Sequence, residues 1–128
     1  HPGGSLGKRL LSSVKDEMKQ SNLPFICQDS SVQDVLVIMT EGRLGLALVG
    51  TKEKLNGVIT DGDIRRALID KSNFSELKAA DLMNKNPLTA LETDNLQLAE
   101  NRMREAKVQC LIVKNKINDV VGVIQIFE

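Results

Sequence analysis

The sequence repeats itself at an offset of 64 residues, and no other feature constrains the fold as strongly. Met103 lies 64 positions after Met39 (103 − 39), and each methionine belongs to a run of apolar residues spaced as on one face of a helix. After each predicted helix comes a run rich in β-forming residues, at 45–49 and again at 109–113. A polar turn and a second strand that opens with glycine follow in both copies, which predicts a hairpin. Two similar units are therefore expected, each with a helix and a small sheet.

A short Asp-x-Met motif and a proline-led extended segment precede each of these helices. Together with the hairpins they predict an α/β fold of α+β-like character, with one repeat at 14–70 and the other at 80–128. The first repeat adds a helix at 61–70, and the polar residues at 71–79 are interpreted as a linker. An amphipathic stretch ahead of the repeats predicts a further helix. Its apolar residues are Leu6, Leu10, Leu11, Val14 and Met18.

Residues that favour helix N-caps stand before both repeated helices. Asp29, Ser30 and Ser31 precede the first helix, and Thr93 and Asp94 precede the second. These residues are therefore the candidate caps.

Charge and composition argue against several classes of partner. The chain has 17 basic and 17 acidic residues, and a formal net charge of zero does not favour nucleic acid or an anionic membrane. Three Phe with no Tyr or Trp leave few aromatic side chains to stack on bases. No apolar run is long enough to span a bilayer, and no signal peptide is recognisable. We expect a cytoplasmic protein with no nucleic-acid and no membrane partner.

The sequence predicts no metal site. Its one histidine is His1, and Cys27 and Cys110 stand far apart, so no metal-ligand spacing exists. Both cysteines lie in apolar runs, where a free thiol behaves as a small buried hydrophobe. Free thiols in a reducing compartment are therefore preferred to a disulfide.

The stretch at 57–66, GVITDGDIRR, is the candidate binding site. A strand that passes directly into a helix leaves backbone N–H groups unpaired, and the helix dipole favours anions there. Thr60 adds a hydroxyl, and the Asp63 carboxylate could accept both hydroxyls of a ribose. Arg65 and Arg66 offer positive charge to a phosphate. The same T-x-x-D spacing is also typical of a helix cap, in which Thr60 accepts from the Asp63 N–H, and both interpretations stay open.

A single unit of this kind cannot bury both faces of its small sheet. Two similar units side by side can, and the pseudo-twofold symmetry expected between them leaves a cleft near the strand ends. The Thr60–Asp63 turn is expected to open into that cleft.

With D-x-M and proline at the start of each repeat, and G-h-h-T-x-x-D at the end of the first, the chain resembles a tandem pair of cystathionine-β-synthase (CBS) domains, also called a Bateman module. The resemblance implies β-α-β-β-α units with a nucleotide bound in the cleft between them. It implies that Thr60 contacts phosphate and Asp63 contacts ribose. The base would pack on the proline-led segment, on Leu23, Phe25 and Ile26.

The second repeat departs from the family pattern. Gln125 stands at the Thr position and Glu128 at the Asp position, and the closing helix of the second unit is missing. We therefore expect one competent site, in the first repeat.

A closer resemblance rests on the segments HPGGSLGKRLL, GRLGLALV, GVITDGDIRRAL and ADLM–NP. They are similar to the C-terminal half of bacterial D-arabinose-5-phosphate isomerases, which join an N-terminal sugar-isomerase (SIS) domain to a CBS pair and serve the synthesis of Kdo for lipopolysaccharide or capsule. The resemblance implies that residues 1–13 are a linker and helix from a missing isomerase domain. His1 matches an isomerase-site position. Because one terminal histidine has no positioned partner acid or phosphate site, we expect this chain, a fragment of a longer protein, to be catalytically inactive.

The resemblance implies a regulatory module that senses a nucleotide or nucleotide-sugar and modulates the attached isomerase. Candidate ligands are CMP-Kdo, AMP and ATP, and no cofactor is required. The implied partners are the SIS domain and a second CBS pair, as a homodimer, with a tetramer in the parent. The alternative function is an oligomerisation platform without ligand. A weaker third possibility is an enzyme, which needs a second titratable group near Asp63.

Overall fold

The computed structural model describes residues 11–70 and 72–126, which fall into two compact units. We call Asn22–Pro87 the inner unit, because it is the middle of the sequence. The outer unit joins the residues up to Ser21 to those from Leu88 onward. Each unit combines helices with a three-stranded sheet, and this mixed architecture confirms the predicted fold class.

The helices and strands are short and alternate along the chain. In chain order they are α1 (Val14–Glu17), β1 (Phe25–Ile26), α2 (Val32–Gly42), β2 (Leu46–Gly50), β3 (Leu55–Thr60), α3 (Asp61–Asp70), a 3-10 turn (Phe74–Glu76), α4 (Ala79–Leu82), β4 (Thr89–Leu91), α5 (Leu96–Ala106), β5 (Cys110–Lys114) and β6 (Val120–Gln125).

In the inner unit β2 lies between the other two strands, parallel to β1 and antiparallel to β3. The register pairs Leu46 with Thr60, so the start of β2 lies beside the end of β3. Side chains of α2, α3 and α4 pack on one face of this sheet and exclude water from it. The buried residues of this core are Val32, Val35, Met39, Ala47, Val49, Ile59, Ile64, Ala67, Leu77, Ala79 and Leu82.

The outer unit has the same topology. β5 is parallel to β4 and antiparallel to β6. Its core takes residues from both ends of the sequence, since α1 packs with α5 and β6. The buried residues are Val14, Met18, Ala90, Leu96, Ala99, Met103, Leu111, Val113, Ile124 and Ile126.

The two long repeated helices begin and end alike. The Ser31 hydroxyl accepts from the Asp34 N–H at 3.1 Å, which confirms one of the predicted caps. The cap of α5 is Asn95, whose side-chain oxygen accepts from the Leu98 N–H at 3.0 Å. The prediction of Thr93 or Asp94 was wrong because the repeat offset of 64 places Asn95, not its predecessors, opposite Ser31.

The second Asp-x-Met motif belongs to the inner unit and packs on the edge of its sheet. Asn84 and Val58 exchange backbone hydrogen bonds of 2.8 and 3.0 Å, which adds a bridge to the edge of β3. Gly57 makes room for this contact, since a Cβ there would lie 3.0 Å from the Met83 sulfur and 2.7 Å from the Asn84 carbonyl oxygen. The segment after α3 therefore completes the sheet that precedes it.

The first Asp-x-Met motif docks in the same way on the outer unit. Lys19 and Val123 exchange backbone hydrogen bonds of 2.9 and 3.0 Å. A Cβ on Gly122 would lie 2.6 Å from the Met18 sulfur, so glycine is required for this approach. Each motif thus packs on the sheet of the other sequence repeat, and the compact units differ from the repeats that the sequence predicts.

Two further local predictions differ from the structure. Leu11 is helical, but the predicted helix does not continue from it to Met18, because Ser12 and Ser13 interrupt it and a separate single turn, α1, begins after Ser13 and ends before Met18. The Ser13 N–H donates to the Asp16 carboxylate at 2.8 Å, so a cap interrupts the apolar pattern. Leu6 and Leu10 lie outside the described residues.

Cys27 was predicted to be buried, but it is exposed. It follows the two-residue strand β1, and its carbonyl oxygen accepts from the Ser30 N–H in a turn at the surface. Cys110, in β5, is half-buried, and no disulfide joins the two cysteines.

Candidate functional site

The candidate site lies where β3 passes into α3 without a loop. Thr60 is the last residue of the strand, and Asp61 is the first residue of the helix. The Asp61 N–H donates to the Gly45 carbonyl oxygen at 3.3 Å, which ties this junction to the start of β2. Ile59 and Ile64, 0% and 9% exposed, anchor the turn in the core from both sides. The polar side chains between them are therefore held at the surface by buried residues on both sides of the turn.

Thr60 and Asp63 form a reciprocal helix cap. The Thr60 backbone N–H and hydroxyl donate to Asp63 Oδ2 at 2.9 and 3.1 Å, and the Asp63 N–H donates to the Thr60 hydroxyl at 3.4 Å. The structure thus contains the helix cap that the T-x-x-D spacing predicts. The same bonds also fix the rotamer of the carboxylate, which leaves its second oxygen, Oδ1, facing outward from the cap.

Arg66 forms an ion pair with that second oxygen. Its Nη2 donates to Asp63 Oδ1 at 2.6 Å, and the Arg66 side chain is 67% exposed while the Asp63 side chain is only 14% exposed. Arg65, the residue before it, is exposed, and no ion pair joins it to another residue within 11–70 or 72–126. Of the two predicted arginines, the structure brings Arg66 to Thr60 and Asp63 and leaves Arg65 apart.

The three predicted base-binding residues precede or form the strand at the edge of the inner sheet opposite this turn. Leu23, Phe25 and Ile26 are half-buried, and Phe25 and Ile26 form β1, which β2 separates from β3. Ile26 packs against the core of the inner unit. Phe25 and Ile26 thus share one sheet with Thr60, on two strands that β2 separates.

A surface pocket of about 230 Å³ adjoins the Asp63–Arg66 pair. Sequence reasoning missed two carboxylates that line it, Asp70 at the end of α3 and Asp81 of the second Asp-x-Met motif. Asp81 reaches this place because its motif docks on the inner unit, which local periodicity does not reveal. The lining residues are Asp63, Arg66, Ala67, Asp70, Asp81 and Leu82.

The corresponding position of the outer unit has a different side chain. Gln125 ends β6 and pairs with Cys110, as Thr60 pairs with Leu46 in the inner unit. The Ile126 N–H donates to the Gln109 carbonyl oxygen at 2.9 Å, which repeats the backbone contact of Asp61. Glu128 and His1 lie outside the described residues.

The described part of the chain offers neither a metal-binding cluster nor a helix suited to cross a membrane. No group of three or more His, Cys, Asp or Glu side chains within it is placed to hold a metal ion. None of its helices has the length and apolar character that a membrane crossing requires.

The repeat, the two sheets and the T-x-x-D turn define a known class. The family model described as "CBS domain" matches residues 14–70 and 79–126, and the chain belongs to this family. A relative in Haemophilus influenzae, named "Probable arabinose 5-phosphate isomerase", is 47% identical over 126 residues. That match covers 98% of this chain and 37% of the relative, so the chain spans little more than a third of the length of this relative.

Solved structures of CBS proteins have the same fold. The crystal structure of CBSX2 in complex with AMP superposes with a TM-score of 0.73 at 26% identity, over 88% of this chain and 89% of that one. The CBS domain protein PAE2072 from Pyrobaculum aerophilum, complexed with AMP, gives a TM-score of 0.78 at 23% identity, over 89% of this chain and 87% of that one. Both structures share the architecture, and both of those proteins were solved in complex with AMP.

Proposed function

We propose that this chain is the nucleotide-sensing regulatory part of a D-arabinose-5-phosphate isomerase of the Kdo pathway. The single observation that supports it best is the Thr60–Asp63 turn. The cap bonds hold the Asp63 carboxylate in one rotamer at the N-terminus of α3, in a chain of the CBS family. The similarity to the Haemophilus influenzae relative supports the isomerase as parent. In this proposal the chain itself carries no catalytic residue.

The proposed ligand is a ribonucleotide or nucleotide-sugar. Thr60 contacts its phosphate, Asp63 accepts from its ribose hydroxyls, and an arginine balances the phosphate charge. Its base packs against Leu23, Phe25 and Ile26 of the same unit. AMP is the first candidate, because CBSX2 is recorded with AMP; CMP-Kdo and ATP are the others.

Regulation requires that the ligand bind two states of the parent with different affinity. The proposed partners are an N-terminal SIS domain and a second copy of the CBS pair in a cytoplasmic homodimer, with a tetramer in the parent. The ligand would then shift the isomerase between states of different activity.

Asp63→Ala tests the proposal, with Asp16→Ala as the matched control. Asp16 forms the same kind of cap on α1, accepting from the Ser13 N–H at 2.8 Å and the Ser13 hydroxyl at 3.3 Å. We expect each substitution to lower the free energy of unfolding by about 0.5–2 kcal/mol, since each removes a cap. Only Asp63→Ala is expected to weaken AMP binding, by about tenfold or more, because it alone removes a charged acceptor of the ribose.

Calorimetric titration with AMP, ATP and CMP-Kdo measures the affinities, and urea denaturation measures the stabilities. Equal affinities of Asp63→Ala and Asp16→Ala for every ligand would show that Asp63 is a cap alone. No heat from the unsubstituted chain at millimolar ligand would exclude sensing.

An oligomerisation platform is the second candidate function. Helices α2 and α3 of the inner unit expose large apolar side chains, which is typical of surfaces that another protein covers. In this case Asp63→Ala would leave the oligomeric state unchanged, and no nucleotide would bind. The exposed residues are Leu36 (40%), Val37 (48%), Leu68 (56%) and Ile69 (82%).

A further inference from the structure

The carboxylate proposed to bind ribose is already occupied by a residue of its own helix. Asp63 Oδ2 accepts both donors of Thr60, and Oδ1 accepts Arg66 Nη2 at 2.6 Å. A vicinal diol needs an outward-facing carboxylate oxygen, and Oδ1 is the one that the cap leaves available. The guanidinium and a ribose would therefore compete for the same atom.

The guanidinium lies against the start of α3. A Cβ on Gly62 would be 3.2 Å from Arg66 Nη1 and 3.5 Å from Nη2, so the side chain folds back over the backbone of the first helical turn. Glycine at this position leaves room for the planar group. The positive charge thus rests at the first turn of α3, next to the Asp63 carboxylate.

The two partners differ in how freely they can move. Asp63 is fixed by the cap and its side chain is only 14% exposed, whereas the Arg66 side chain is 67% exposed and makes one ion pair among the described residues. An ion pair with so exposed a partner contributes little free energy, so breaking it to release the guanidinium costs little free energy. A ligand that donates hydrogen bonds to the Asp63 carboxylate would therefore displace Arg66 and leave the carboxylate in place.

We propose that Arg66 is exchanged between Asp63 and the ligand. The two hydroxyls of a ribose replace the guanidinium on Asp63 Oδ1, and the released guanidinium pairs with the phosphate of the same ligand. This inference rests on the proposed function and narrows its ligand class to ribonucleotides with both a free diol and a phosphate. A nucleoside breaks the ion pair without supplying a new one, and a deoxyribose cannot replace the guanidinium fully.

The exchange makes opposite predictions for two ligands. Removing the guanidinium with Arg66→Ala removes a competitor, so adenosine is expected to bind about two- to fivefold tighter. AMP is expected to bind several-fold weaker, since its phosphate loses its partner. Arg65→Ala is the control: it removes the same charge from an exposed neighbour that does not contact Asp63, and it is expected to change both affinities by less than about twofold.

Calorimetric titration of the unsubstituted chain, Arg66→Ala and Arg65→Ala with adenosine and AMP measures these changes, and circular dichroism confirms that each variant is folded. Arg66→Lys is expected to recover part of the AMP affinity, because it keeps the charge but not the planar fork. Equal weakening of both ligands by Arg66→Ala, or no change in either, would overturn the exchange while the proposed function stands. If the unsubstituted chain binds neither ligand, the proposed function fails and the exchange with it.

Discussion

At the scale of single residues, Asp63 shows how one side chain can stabilise the fold and still be suited to bind. Its cap bonds to Thr60 use one carboxylate oxygen and fix the side chain in one rotamer. A group that is already ordered loses little conformational entropy when a ligand arrives. The capping and binding interpretations of the T-x-x-D motif are therefore compatible, and the cap would prepare the carboxylate for a ligand.

The exposed thiol of Cys27 gives a prediction at the same scale. In the folded protein, iodoacetamide is expected to modify Cys27 several-fold faster than Cys110, because Cys27 lies at the surface while Cys110 is half-buried in β5. Mass spectrometry of samples quenched over time measures the two rates. In guanidinium chloride the rates should converge; faster modification of Cys110 in the native protein would contradict the placement of Cys27.

At the scale of elements, most helices and strands were predicted better than the contacts between distant segments. The apolar spacing predicts α3 with its observed bounds, Asp61–Asp70, and places β2 within one residue, because periodicity and turn composition act over a few neighbours. The T-x-x-D turn is local too. The pocket lining by Asp81 and the docking of Met18 on Gly122 join distant segments, and only the folded topology brings these together.

The docking of the Asp-x-Met motif is testable through Gly122→Ala. The new methyl group would lie 2.6 Å from the Met18 sulfur and 2.8 Å from the Lys19 carbonyl oxygen, so the segment must shift. We expect a loss of about 1–3 kcal/mol in the free energy of unfolding, typical of overpacking, measured by urea denaturation. Hydrogen exchange of the Lys19 and Val123 amides should accelerate, since their mutual bonds weaken.

Gly62→Ala is the control for that substitution. Its methyl group would meet only the flexible end of Arg66, at 3.2 Å, and alanine favours a helix, so stability should stay the same or rise. Unchanged stability and unchanged exchange in Gly122→Ala would show that Met18 does not need the glycine.

At the scale of the whole molecule, the sequence repeats and the compact units are different divisions of one chain. The repeat at 14–70 matches the family model, yet the unit with the Thr60–Asp63 turn is Asn22–Pro87. This unit gains α4, whose Ala79 and Leu82 are 0% and 6% exposed in its core. Cooperative folding should therefore follow the contacts of the compact unit rather than the boundaries of the sequence motif.

Fragments 22–87 and 14–70 distinguish these divisions. Fragment 22–87 keeps α4 and the bridge between Asn84 and Val58, whereas 14–70 loses both and carries Val14 and Met18 away from the core that buries them. Each large apolar side chain left unburied costs about 1.5–3 kcal/mol, so 22–87 is expected to unfold at the higher urea concentration. Circular dichroism during urea titration measures the two midpoints, with the full chain as reference. An equal or higher midpoint for 14–70 would mean that the sequence repeat, and not the compact unit, is the folding unit.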